Sequence, residues 1–112
     1  MEIIFNSNKL KKICNDINLL QRRFGNNRAK KIGQRLFDIN AANTLTELST
    51  LPPIRCHELK GSLKGQLAIN VDEKLRIVFK PENQPIPIKK DGGLDWSQVT
   101  AIRIMTIEDY HD

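Results

Sequence analysis

Apolar residues in the first forty positions recur at spacings of three and four, whereas from residue 67 onward they alternate with polar ones. The first pattern predicts helices and the second predicts strands. Glu2 to Phe5, a short apolar run, predicts a strand ahead of the helices. Ser7 or Asn8 then caps a helix with one apolar face, Leu10, Ile13, Cys14, Ile17, Leu20 and Phe24, which ends at Gly25-Asn26-Asn27. A second helix carries the stripe Ala29, Ile32, Leu36 and Ile39, with Phe37 alongside and Gly33 allowing close packing, so the pair is expected to form a helical hairpin. Thr44 and Glu47 fit a capping box for one short turn before Pro52-Pro53 forbids continuation.

In the second half, Leu67, Ile69 and Val71 alternate with Ala68 and Asn70, Asp72-Glu73-Lys74 turns, and Leu75, Ile77 and Phe79 alternate with Arg76, Val78 and Lys80. This is an antiparallel hairpin. Ala101 to Ile107 is rich in isoleucine and is expected centrally in the sheet. Between them, Pro81, Pro85, Pro87, Gly92 and Gly93 make residues 81–98 a long loop. With no repeat and no linker, residues 1–112 form a single α+β domain, a helical hairpin packed on a small antiparallel β-sheet.

The composition agrees, since 112 residues with 39% hydrophobic and 28% charged side chains suit one core. Two cysteines do not make a disulfide framework. No apolar run approaches the roughly 20 residues of a membrane helix, and the start lacks a signal-peptide core, so a cytoplasmic protein with no membrane partner is expected. Eighteen basic against thirteen acidic residues give a net charge of +5, which favours a polyanionic partner, nucleic acid or acidic protein. The charge is uneven: residues 1–35 carry nine basic side chains and only Glu2 and Asp16 against them.

The two histidines, His57 and His111, each sit in polar company at the sheet's predicted ends. Strand alternation places Arg76 opposite the core-facing residues, giving the exposed face a cation. These residues with Tyr110 and Asp109 suffice for RNA phosphodiester cleavage, in which a 2′-hydroxyl attacks the adjacent phosphorus. One group takes a proton, another protonates the leaving 5′-oxygen, and cations hold the added charge, without a metal or other cofactor. Asp109 and the terminal carboxylate are expected to favour protonated His111 and suit it to the acid role. Zinc is disfavoured because no ligand pair has structural spacing. Cys56 is expected to face the core if His57 faces solvent, and Gly61 and Gly65 are turn formers. Phe5, Phe24, Phe37 and Phe79 fall on apolar faces, leaving Tyr110 as the base-stacking residue near the histidines. Free RNA should therefore bind weakly, and a scaffold that already holds it would help.

His57-Glu58-Leu59-Lys60-Gly61 with Leu63-Lys64-Gly65, then Leu75-Arg76-Ile77-Val78-Phe79, then Glu108-Asp109-Tyr110-His111 resemble the HigB branch of the RelE/ParE superfamily of bacterial toxins. The resemblance implies a microbial RNase (RelE-like) fold and a type II toxin that cleaves mRNA in the ribosomal A site, inhibits translation and is held inactive by a HigA-type antitoxin. It assigns activity to His57, Asp109, Tyr110 and His111, and phosphate binding to Lys60 and Arg76, with the choice of base between the histidines left open. Two features depart from the family: Leu67 and Leu75 stand where members often have tryptophan, and the 81–98 segment replaces a tight connection. ParE-like relatives that bind DNA gyrase without cutting RNA supply the alternative function.

Overall fold

The computed structural model describes residues 1–52 and 54–110. Strand β1 (Glu2–Phe5) leads into helices α1 (Asn8–Cys14), α2 (Ile17–Phe24), α3 (Asn26–Ala41) and α4 (Leu45–Ser49), followed by strands β2 (His57–Glu58), β3 (Leu67–Asn70), β4 (Leu75–Pro81) and β5 (Ala101–Asp109). The five strands form one sheet in the order β1-β5-β4-β3-β2. Neighbours are antiparallel except β1, which runs parallel to β5. The expected purely antiparallel sheet is thus corrected at one edge. The chain leaves β1 through the helices and returns far downstream, so β1 is free to pair in either sense. The predicted central place of the last strand is found, with β5 between β1 and β4.

The helices cover one sheet face, where Ile32, Ile39, Leu45 and Leu48 meet Ile69, Ile77, Phe79 and Ile104, all of them fully buried. The predicted first helix is two helices. At its middle Asp16 adopts an extended backbone, φ −132° and ψ 109°, and its carboxylate accepts from the backbone N–H groups of Asn18 and Leu19. A side chain that satisfies those free donors starts a new helix there and ends the old one. The hairpin is therefore α2 against α3. Ile17 of the first predicted apolar face is exposed at 52%, as is Phe37 beside the second stripe, at 66%. Gly33 is no close-packing point either, because a Cβ there would meet no atom within 4 Å.

The long segment after β4 is stitched at its ends by Asn83. Its amide nitrogen donates to the Gln98 carbonyl and the Thr100 hydroxyl, and its oxygen accepts from the Thr100 and Ala101 N–H groups. Trp96 packs on the core from this segment and donates to Glu58. Among the described residues no helix is long and apolar enough to cross a membrane.

Candidate functional site

The sheet face away from the helices gathers the chemistry. On β4, Arg76 pairs in register with Asn70 of β3 on one side and Glu108 of β5 on the other. These three side chains therefore form one row. The expectation of an exposed cation is corrected: Arg76 is only 9% exposed. Glu108 accepts from its Nη2 at 3.1 Å, and the Tyr110 ring lies 5.0 Å from the guanidinium carbon. The aromatic face and the carboxylate together replace water around the cation. Arg76 Nε is buried with no hydrogen-bond partner among the described residues.

Tyr110 is held in this place at two points. Its N–H donates to the Lys74 carbonyl at 2.8 Å, and its hydroxyl donates to Asn70 Oδ1. The phenol therefore crosses β4 from the end of β5 to the end of β3. Asp109 is turned the other way by strand alternation and lies 3.6 Å from Arg28 of α3. It does not join the Arg76 row. His111 lies outside the described residues.

His57 sits on the edge strand β2 opposite Ala68, on the same face as Asn70 and Arg76. It is separated from β4 by one strand, about 10 Å. The strand that leads from Gly65 is β3, and β4 lies between it and β5. His57 Nδ1 is 2.9 Å from the Arg55 carbonyl oxygen. A carbonyl only accepts, so this contact puts the ring proton on Nδ1 and leaves the Nε2 lone pair outward in the neutral ring. Arg55 itself has φ 52°, a left-handed backbone that aims its carbonyl at the ring. Lys60 is exposed just before the turn Gly61–Leu63. Cys56 packs toward the core as expected, and burial reinforced by Glu58 pushes its thiol up to about 12. Such a thiol stays protonated and non-nucleophilic near neutral pH. Among the described residues no group of three His, Cys, Asp or Glu side chains could hold a metal.

Beside this face, α3 and the β3–β4 turn enclose a cleft of about 600 Å³. Arg28 donates from Nε to Asp72 at 2.9 Å there. Partial burial would raise the Asp72 pKa, but Arg28 and the backbone N–H groups of Lys74 and Leu75 prevail and hold it below the ordinary carboxylate value. A carboxylate depressed in this way stabilises the fold above its unfolded pKa, about 3.9, and loses that contribution as pH falls through the folded value. Asp72→Asn is therefore expected to lower stability at neutral pH, with the difference from wild type closing below about pH 4. Urea unfolding at both pH values measures this; a constant difference would show that Asp72 acts through its shape alone.

Sequence reasoning did not single out Asn70 or Glu108. Asn70 was visible only as a polar position in an alternating strand, and Glu108 only as a flank of the terminal motif.

A family model described as the RelE-like toxin of the type II toxin-antitoxin system HigB matches residues 4–88 of this chain. That span includes His57, Lys60 and Arg76 and stops before β5. Among solved structures, a YoeB/ParE toxin from Agrobacterium tumefaciens aligns with a TM-score of 0.58 at 9% identity, covering 99% of this chain and 100% of that one. The YoeB-YefM complex from Staphylococcus aureus aligns at 0.56 and 16% identity, covering 100% and 98%. At these identities the likeness is one of fold. No curated protein sequence gives a significant match.

Proposed function

Because the chain belongs to the HigB-like family of RelE-like toxins of type II toxin-antitoxin systems, we propose that it is a metal-independent endoribonuclease that cuts mRNA in the ribosomal A site. The observation that carries this proposal is Arg76: a cation held by Glu108 and Tyr110, its Nε without a hydrogen-bond partner among the described residues, on the sheet face it shares with His57. Such a group is preorganised to meet charge that develops on a phosphate.

In the proposed reaction His57 Nε2 takes the proton of the 2′-hydroxyl as that oxygen bonds to phosphorus. The bond from phosphorus to the 5′-oxygen breaks, and His111 supplies the proton that the leaving oxygen needs. Arg76 and Lys60 hold the phosphate, and Tyr110 both caps Arg76 and offers a ring edge to the base. Asp109 acts from the far side, through its charge and its pairing with Arg28. The products are a 2′,3′-cyclic phosphate and a 5′-hydroxyl end. With Tyr110 the one phenol or indole ring at this face among the described residues, placement of the RNA falls to the ribosome. A HigA-type antitoxin would restrain the toxin in the cytoplasm, and the YoeB-YefM complex is a precedent for this fold with a partner protein.

Induction in cells without antitoxin, with 5′ ends mapped on translated and untranslated copies of one transcript, tests this. New ends confined to the translated copy are expected. Growth arrest with no new ends would overturn the nuclease and point to the ParE-like alternative, inhibition of DNA gyrase.

A further inference from the structure

We propose that the cleft between α3 and the β3–β4 turn is a phosphate-backbone subsite, in which Lys31 and Lys74 hold the single-stranded RNA next to the cut; this rests on the nuclease proposed above. The cleft holds about 600 Å³ and is lined by four cations, Arg28, Lys31, Arg35 and Lys74, against two carboxylates, Asp72 and Glu73. The two arginines are already engaged. Arg28 binds Asp72 and reaches Asp109, while Arg35 donates to the Asn70 carbonyl at 2.7 Å and pairs with Asp38 at 3.4 Å. They build the wall. Lys31 and Lys74 are exposed, and their ammonium groups have no hydrogen bond or ion pair among the described residues.

Two features make the ligand a nucleic-acid backbone rather than an acidic protein. The apolar lining residue is Val71, only 3% exposed, so the cleft presents no exposed aliphatic or aromatic side chain of the kind on which protein interfaces depend. Phosphates need only spaced cations. The cleft is also continuous with the reaction face, because Asn70 lines it and accepts the Tyr110 hydroxyl. A strand whose scissile phosphate lies at Arg76 can therefore pass its neighbouring phosphates across Asn70 to Lys31 and Lys74.

The test uses the purified wild-type protein and a fluorescent 2′-O-methyl oligoribonucleotide of about ten nucleotides. Its methylated oxygen cannot attack, so binding is read without cleavage. Lys31→Gln with Lys74→Gln is expected to weaken binding several-fold and to reduce the slope of log K against log salt by about 1.4, two phosphates at about 0.7 each. Lys9→Gln with Lys12→Gln removes the same charge from α1 and is expected to leave the slope as in wild type. Equal loss in the two pairs, no loss in the first, or no binding by wild type at low salt would overturn the subsite. So would displacement of the oligonucleotide by poly-glutamate as efficiently as by unlabelled RNA, which would make the cleft a protein-docking surface. The two proposals fail separately: binding as expected without cuts in cells removes the nuclease alone, and cuts with an unchanged slope remove the subsite alone.

Discussion

Arg76→Ala is expected to lower cleavage of a translated message about 10²- to 10³-fold, the loss typical when one preorganised donor to a developing anion is removed. The substitution also acts on the fold. Arg76 is 9% exposed, and Glu108, its partner at 3.1 Å, is partly buried, so deleting the guanidinium takes one charged hydrogen bond from that carboxylate and leaves a gap beneath the Tyr110 ring. A cost of about 2 kcal/mol follows from the usual worth of a charged hydrogen bond. Arg76→Lys separates the two effects. Lysine keeps the charge and most of the volume but has neither the planar fork nor the Nε donor. It should unfold in urea closer to wild type than Arg76→Ala does, because it keeps the charge beside Glu108, yet lose most of the cleavage. Arg76→Lys with wild-type cleavage would mean that only a positive charge matters there. Arg76→Lys that unfolds like Arg76→Ala would make the arginine chiefly structural.

The burial of Arg76 also marks where sequence reasoning ends. Alternation in Leu75 to Lys80 assigns Arg76 to the face opposite Ile77 and Phe79, and the register places it there. Alternation does not say what covers that face. The cover is Tyr110, which reaches over from just past the end of β5, 34 residues downstream, and is fixed by Asn70, a contact no local pattern encodes. The helix break has a different origin. The apolar face from Leu10 to Phe24 keeps its spacing through Asn15-Asp16, so periodicity reads straight across. A two-residue side-chain bond from Asp16 ends one helix and caps the next. Phe37 shows a third limit, since it borders the stripe of Ile32, Leu36 and Ile39 in sequence while 66% of its surface stays exposed. The elements carried by long, regular patterns, α3, the β3–β4 hairpin and β5, were legible because there local preference and burial agree. In the site, residue types and strand faces were legible, while their covering and anchoring were not.

His57→Ala is expected to lower cleavage by about 10² to 10⁴, the contribution usual for a positioned general base, with little change in stability. The imidazole stands on an edge strand, and its hydrogen bond is to the Arg55 carbonyl, so its loss should cost no more than about 1 kcal/mol. If His57 takes the proton of the 2′-hydroxyl, the residual rate of His57→Ala should also lose the rise with pH that a base imposes, whereas a phosphate-holding role would lower the rate and keep its pH profile. The ring's aim gives a second handle. The backbone of Arg55 directs it, not the side chain, and φ 52° suits glycine at least as well as arginine. Arg55→Gly should therefore keep cleavage near the wild-type level. Arg55→Pro fixes φ near −65°, swings the carbonyl away from Nδ1 and should approach the rate of His57→Ala while His57 is still present. Full cleavage by His57→Ala would transfer the base to another group. Full cleavage by Arg55→Pro would show that the ring finds its place without the carbonyl.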